Sequence, residues 1–359
     1  MPKRHRSSDG ESVDHRSCRR SLPLRRHLCV VLDDWSKGYS IYKLDVDGFN
    51  PDDKQADDDL DLNAADRLPE PPVFRLEIPE DERGRFARFA AVGSRIFAMH
   101  YSDEDRDAPV LVYDLATGGL AVGPGTPLEL QNRPKLVAAG DRLYAVDRIR
   151  DGRREDHSFK VLAPHGRRGW VWSSLRAAPL DLMVAACHAA HPDGRTVLFS
   201  AHGKGTFSVD TETEEWAWLG QWMLPFRGQA YYDGELDAWV GLRSGGVAEG
   251  AVCSCQVVVV ADHHGPEEEP AWKVVAPQVI KTDDERTMAV ELAHMGDGSF
   301  CLVECRQQIE DDDGRWLLRT ATFGLRYDKD GALRPTASRT RCYAVHKKSN
   351  TFQWRAFGI

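Results

Sequence analysis

Histidines are the first residues of this chain whose type and spacing suggest acid–base or metal chemistry. His188 and His191 flank two alanines in CHAAHPDG, and His263 and His264 follow an apolar segment. Neighbouring residues of a strand point to opposite faces, so the second pair has poor geometry for holding one metal ion. His202 stands in SAHGKGTF, where a tight turn accounts for it. We therefore expect loop or surface histidines, with no catalytic residue and no metal ligand.

Two glycine-rich segments invite comparison with nucleotide-binding loops. GKGT (203–206) lacks the spacing of a phosphate loop, and GGVAEG (245–250) is followed by the strand-like CSCQVVVV rather than by a helix. No G-x-S-x-G nucleophile motif is present. Both segments are therefore predicted to be turns or loops, and the sequence predicts no cofactor.

Acidic residues and cysteines give equally weak signals of a metal site. The aspartate-rich stretch 51–66 lacks the order of residues in a calcium-binding EF-hand loop, so it is predicted to be a solvated loop. Eight cysteines are dispersed along the chain without zinc-site spacing. We expect buried, reduced thiols.

Tryptophans recur in the later strands of successive sequence units. The set is Trp170, Trp172, Trp216, Trp218, Trp222, Trp239, Trp272 and Trp316. Residues two apart on a strand share a face, so Trp170 and Trp172 form one pair and Trp216 and Trp218 another. We expect these rings to pack between neighbouring sheets, and the alternative is a binding surface.

The elements that carry these residues are repeated β units. Each unit has a glycine turn, alternating apolar strands and a later strand with tryptophan, and no segment has a sustained helical period. The glycine anchors are Gly93, Gly140, Gly194, Gly234 and Gly296, about 51 residues apart on average. This spacing is close to the roughly 50 residues of kelch repeats, and the WD40 signature is absent. The prediction is an all-β, six-bladed kelch-like β-propeller.

An open ring of sheets would leave two unpaired edges, so the two ends of the ordered chain should meet. The propeller is predicted to span residues 27–346, followed by a C-terminal extension at 347–359. Residues 28–33 are expected to close the ring by pairing with residues 341–345.

Residues 1–26 are polar and basic, so they are predicted to form a disordered tail. The basic residues that could form a nuclear-import signal are Lys3, Arg4, Arg6, Arg19, Arg20, Arg25 and Arg26. A simple solvated tail and an organellar transit peptide are the two alternatives.

Composition narrows the class of protein. The net charge is −9, which gives no basic field for nucleic acid beyond weak contacts by the tail. No apolar run approaches the ~18 residues of a membrane span, and the N-terminus has no apolar signal segment. We expect an intracellular monomer, cytoplasmic or nuclear.

The chain resembles the domain of unknown function 1668 family, a grass-expanded plant family related to kelch and F-box-associated propellers. The specific block is GTFSVDTETEEWAWLGQWMLPFRGQAYYDGELDAWVGL (205–242), with YSIYKLDVD, FARFAAVGSRIFAM, VLVYDLATGGLAVGP and HMGDGSFCLVECR in support. The resemblance covers about residues 27–345. It implies a propeller-like fold and no catalytic residues, and the basic tail lacks the helical module of F-box relatives.

The leading functional hypothesis is a non-enzymatic module that binds an unknown protein partner through loops on one face. The alternative is an enzyme or small-molecule binder with a site at the mouth of the central channel. Equivalent positions after the strands that we take as innermost carry Ser102, Arg148, His202, Arg243 and Arg306. This set is rich in arginine, and we expect Arg148, His202, Arg243 and Arg306 to bind a partner or to lie at the channel mouth.

Overall fold

The computed structural model describes residues 26–49, 65–78, 87–100, 108–130, 134–151, 154–166, 169–179, 182, 185–246, 248–260, 268–280, 287–307, 315–346 and 353–359. Within these ranges the chain is all-β, and the elements comprise strands and a short 3₁₀ turn at Leu128–Leu130 without any α-helix. No helix in the described part of the chain is long and apolar enough to cross a bilayer. Scarcity of helix was expected from the alternating apolar pattern.

The strands range from two residues in β3 to 14 in β24. In chain order they are β1 (His27–Trp35), β2 (Gly38–Asp45), β3 (Asp66–Arg67), β4 (Phe74–Glu77), β5 (Ala87–Val92), β6 (Arg95–His100), β7 (Pro109–Asp114), β8 (Gly119–Gly125), β9 (Lys135–Ala139), β10 (Arg142–Asp151), β11 (Arg154–Pro164), β12 (Trp170–Ser174), β13 (Ala185–Ala190), β14 (Thr196–Ala201), β15 (Gly205–Asp210), β16 (Trp216–Gly220), β17 (Phe226–Asp233), β18 (Ala238–Arg243), β19 (Val252–Gln256), β20 (Trp272–Val274), β21 (Thr287–His294), β22 (Ser299–Gln307), β23 (Arg315–Tyr327), β24 (Leu333–His346) and β25 (Trp354–Gly358).

Antiparallel runs of four strands are the building units. The first unit has the order β25-β1-β2-β4, and the next two are β5 to β8 and β9 to β12. The runs β13 to β16 and β17 to β20 form one continuous sheet because β13 and β17 pair in parallel over three residues. The last unit is β21 to β24, with β3 added at its outer edge.

The hydrophobic core is divided among the interfaces between successive units. Each apolar cluster combines side chains of two units: the first and second, the second and third, the third and fourth, the fourth and fifth, and the fifth and sixth. A further cluster joins β1 and β2 to β22, β23 and β24. The units therefore follow one another in a closed cycle, which makes the fold β-propeller-like.

The strand that joins the two ends of the chain is not the one that the sequence predicted. Residues 28–33 lie in β1, but β1 pairs with β25, from Leu28 opposite Gly358 to Leu32 opposite Trp354. Residues 341–345 instead continue the long antiparallel pairing of β24 with β23. The prediction chose the last long apolar run, whereas a five-residue strand with buried Trp354 and Ala356 fills this place. Part of the predicted extension at 347–359 thus belongs to the first sheet.

The tryptophans divide between packing and exposure. Trp216 lies between Phe159 and Phe199, with ring centroids 5.6 and 5.9 Å apart, and so joins the third and fourth units. Trp239 is fully buried and donates to the carbonyl of Ala190 at 2.8 Å. These two agree with the expected inter-sheet role. Trp218 does not, because it is 53% exposed.

Candidate functional site

A cavity of about 640 Å³ lies where the first strands of all the units meet. Its lining includes residues of β5, β9, β13, β17, β21 and β25. Four of these strands are terminal in their sheets, and β13 and β17 have only each other beyond their own units. The cavity is therefore central, and its wall is made of strand edges and the side chains that flank them.

Charged side chains occur at one level of this wall. We call the first strand of each unit, which lines the cavity, its inner strand. Each inner strand pairs with the second strand of its unit, so the same register position can be compared in all six units. In every unit we take the inner-strand residue that is paired in register with the fifth residue of the second strand. These residues are Arg88, Lys135, Cys187, Arg227, Glu291 and Arg355. Their partners, in the same order, are Met99, Val146, Ser200, Leu242, Val303 and Val31. All except the buried Cys187 line the cavity. We call the five lining residues, Arg88, Lys135, Arg227, Glu291 and Arg355, the charged ring.

The bulge in β17 keeps Arg227 at this level. The register between β17 and β18 shifts between Arg227 and Tyr231, and Gly228 within the bulge has a φ of 71°. Glycine adopts this left-handed conformation without steric cost. The segment PFRGQA thus places an arginine on the cavity wall and gives the adjacent backbone the freedom to bend.

The only carboxylate of the charged ring already has partners. An oxygen of Glu291 accepts from the Arg355 guanidinium at 2.5 Å, and its other oxygen accepts from the backbone N–H of Ala356 at 2.8 Å. Burial raises the pKa of Glu291, and the positive charge of Arg355 opposes that change. This pair fixes β25 against β21.

Two of the remaining cations, Lys135 and Arg227, have no carboxylate of the described residues within ion-pair distance. The Lys135 ammonium donates to the carbonyl oxygen of Ala185, and burial lowers its pKa. Arg227 makes a long contact of 3.4 Å with the carbonyl oxygen of Val290. Both side chains are partly buried, and a partly buried cation gains more from an anionic partner than from one carbonyl, so this part of the wall favours anions.

His188 adds an uncharged polar group beside Lys135. The residue is only 5% exposed, and burial, followed by the charge of Lys135, lowers its pKa to about 3. Neither ring nitrogen is in a well-formed hydrogen bond with a described residue, although the Gln229 side chain lies near enough to oppose the shift. His188 is thus neutral at physiological pH and can offer a hydrogen bond to a ligand.

An aromatic pair lines another part of the cavity. The rings of Tyr231 and His294 are stacked with centroids 5.8 Å apart. Burial raises the pKa of Tyr231 and lowers that of His294, so both rings are uncharged near neutral pH. The cavity therefore combines cationic and flat apolar surfaces.

The residues predicted for the channel mouth do not line this cavity. Arg148, His202, Arg243 and Arg306 are absent from the cavity lining, because they lie in or just after the second strands of their units. Ser102 falls outside the described residues. The sequence analysis took the second strands of the units as innermost, whereas the strands that line the cavity precede them. A partner-binding role of the four described residues stays a prediction.

Two of those arginines have evident local partners. The Arg243 guanidinium lies 4.0 Å from the centre of the Trp272 ring. Arg306 is an ion-pair partner of the buried Glu304 at 3.1 Å. His202 is exposed in the turn between β14 and β15, which agrees with the predicted hairpin at GKGT.

Sequence interpretation was wrong for His188, which lies on an inner strand rather than in a loop. His191 accepts from the Asp193 backbone N–H at 3.2 Å in the turn that follows. His263 and His264 lie outside the described residues. The missed signal was one or two polar or charged residues within otherwise apolar segments: FARFAAV, PKLVAA, CHAA, VELAH and WRAF.

Thiol and metal chemistry have little support among the described residues. The seven cysteines in this part of the chain are buried and free. Burial raises the pKa of Cys187 to about 11 and that of Cys301 to about 12, so these thiols stay protonated. No group of three or more metal-ligating side chains occurs within the described ranges.

The basic tail is described only at its last residue. Lys3, Arg4, Arg6, Arg19, Arg20 and Arg25 lie outside the described residues. Arg26 forms an ion pair with Asp47 at 2.8 Å, and its backbone N–H donates to the same carboxylate at 2.9 Å. Arg26 is thus attached to the folded part of the chain.

These features define a β-propeller-like, all-β protein with a charged central cavity. Residues 25–343 match the family described as "Protein of unknown function (DUF1668)", and the chain belongs to this family. No curated protein matches the sequence.

Several solved structures share part of the arrangement at low sequence identity. YjhT matches with a TM-score of 0.41 and 11% identity, over 77% of this chain and 99% of its own. Hydrazine synthase of Kuenenia stuttgartiensis has a TM-score of 0.36 and 11% identity, over 72% of this chain and 67% of its own. A protein of unknown function from Bacteroides thetaiotaomicron has a TM-score of 0.37 and 14% identity, over 72% of this chain and 60% of its own.

Proposed function

We propose that this chain is a six-bladed β-propeller that binds a small molecule in its central cavity. The observation that carries the proposal is the cavity of about 640 Å³, which receives residues from the first strand of every unit. Its volume lies within the roughly 300–1,000 Å³ of ligand pockets. It also combines flat aromatic rings, uncharged polar groups and cations, the usual means by which a pocket orients a ligand.

The blade count rests on the cyclic order of the apolar clusters and on the four-stranded units. A ring built in this way gives a rigid wall, since each inner strand is held by its own sheet and by two neighbouring clusters. The kelch-like spacing of the glycine turns, a plant origin, a monomeric state and a cytoplasmic or nuclear location belong to the same proposal.

A cavity-filling variant tests this function. Ala91 lines the cavity, and Ala91→Trp should occupy part of it, whereas Ala116→Trp adds the same ring at an exposed turn position. Native mass spectrometry of the full chain, followed by thermal-shift screening of a metabolite library, should identify compounds that stabilise wild type and Ala116→Trp. Stabilisation should be lost in Ala91→Trp. Equal stabilisation of all three proteins, or none in any, argues against a ligand in the cavity.

Binding of a protein partner is the second candidate. Trp218 is 53% exposed and Trp272 is 36% exposed, and aromatic residues are enriched at protein interfaces. Affinity purification with wild type and Trp218→Ala tests this candidate. A partner that is recovered equally with both proteins does not depend on Trp218.

A further inference from the structure

We propose that the ligand of the central cavity is a compact molecule with at least two oxyanion groups, bound on the side of Lys135 and Arg227. This inference rests on the proposed function and deepens it. The shared chemistry is that of polycarboxylates and of phosphate compounds, both of which present several charged oxygens to arginine and lysine.

The first step is the charge of the cavity. The charged ring contains four cations and one carboxylate, whereas the whole chain has a net charge of −9. The two histidines of the lining add no positive charge, because burial lowers the pKa of both. An acidic protein thus encloses a cationic cavity, and such local reversal of charge concentrates anions at a site.

The second step is where the excess charge lies. Glu291 is neighbour to Arg355 in the ring and binds it at 2.5 Å. The rest of the ring includes Lys135 and Arg227 on two separate units, and neither has a carboxylate of the described residues within ion-pair distance, although Arg227 is next to Glu291 in the ring. Cations on separate strands can each bind a different group of one ligand, which favours two or more anionic groups over one.

The third step is the neutral pair beside these cations. His188 and Gln229 are opposite each other in the parallel register of β13 and β17, one and two residues beyond the ring positions Cys187 and Arg227. Both line the cavity. They can bind a hydroxyl or carbonyl group, so the expected ligand has an uncharged polar group between or beside its anionic groups.

Titration calorimetry at low salt with the full chain tests the inference. The probes are citrate and tripolyphosphate as the two sources of oxyanions, acetate as a monoanion and glycerol as a neutral compound. At least one polyanion should bind ten or more times more tightly than acetate. Its affinity should fall steeply with added salt, because charged groups supply the attraction. The preferred probe distinguishes carboxylate from phosphate.

Variants locate the site. Lys135→Met and Arg227→Met should each weaken polyanion binding about tenfold or more, since each removes a charge-assisted hydrogen bond. Lys204→Met is the matched control, because Lys204 lies in an exposed turn. Thermal unfolding establishes that each variant is folded, and Arg227→Met serves if Lys135→Met does not fold.

Three outcomes overturn the inference: no polyanion binds more tightly than acetate, both variants bind the polyanion as tightly as wild type does, or polyanion binding survives in Ala91→Trp. If a neutral library compound stabilises wild type but not Ala91→Trp, and no polyanion binds, the inference of a polyanionic ligand is refuted and the proposed function stands. Absence of any cavity ligand would refute both.

Discussion

Arg355 of the last strand and Glu291 of β21 are joined at 2.5 Å, and the backbone N–H of the residue after Arg355 donates to the other oxygen of the same carboxylate. The two residues hold equivalent positions on neighbouring inner strands. The contact therefore links the closing strand of the ring to the preceding unit as well as lining the cavity.

Removal of one partner of this pair should destabilise the protein. Arg355→Met leaves the Glu291 carboxylate in a partly buried site with one hydrogen bond fewer. We expect a loss of about 1–2 kcal/mol, less than for a fully buried pair, because the Arg355 side chain is 45% exposed. Urea denaturation of Arg355→Met, Glu291→Gln and the double variant measures the coupling. Strictly additive effects would show that the two side chains do not stabilise each other.

His188 should make stability depend on pH. Its folded-state pKa is about 3 and its ordinary value is 6.5, so the unfolded chain binds a proton that the folded chain excludes in that interval. The contribution of His188 to the free energy of unfolding is fully present above pH 6.5 and is lost progressively as the pH falls towards 3. At pH 5 the loss is roughly 2 kcal/mol. Denaturation of His188→Gln at pH 5 and 7 should lack this component, whereas the exposed-residue control His202→Gln should keep it.

Trp216 should contribute more to stability than its neighbour Trp218. The Trp216 ring lies between Phe159 and Phe199 of adjacent units, and Trp218 is 53% exposed. We expect Trp216→Ala to cost about 3 kcal/mol, the lower end for such substitutions because the ring is partly accessible. Trp218→Ala should cost within about 0.5 kcal/mol of zero. Chemical denaturation compares them, and equal losses would contradict an inter-unit role for Trp216.

Local signals in the sequence sufficed to predict an all-β repeat, because glycine turns such as Gly93 and Gly140 and alternating strands are encoded over a few residues. Position within the ring depends instead on which strand of each unit is innermost. Arg148 and Lys135 are both basic residues of β strands, yet only Lys135 lines the cavity. Pairing between distant strands decides this difference. The five-residue closing strand was missed for the same reason, since its partner lies at the other end of the chain.

The two ends of the chain should differ in their effect on folding. Deletion of residues 353–359 removes β25, its pairing with β1 and the buried Trp354, so cooperative unfolding should be lost or shifted to a much lower temperature. Deletion of residues 1–25 should leave thermal unfolding nearly unchanged and retains Arg26 with its ion pair to Asp47. Calorimetry of both deletions measures this difference. A large loss on removing residues 1–25 would show that the tail takes part in the fold.

The basic tail, if it is a nuclear-import signal, should act independently of the folded part. A fluorescent fusion should lose nuclear enrichment when Arg19, Arg20 and Arg25 are replaced by alanine, because import signals depend on clustered positive charge. Arg26 is left intact in this test because its replacement removes the ion pair with Asp47. An effect of that loss on folding would be indistinguishable from an effect on transport. Lys204→Ala, at an exposed turn outside the tail, is the matched control and should leave localisation unchanged. Unchanged nuclear enrichment in the triple variant would refute the import signal and leave a solvated tail or a transit peptide.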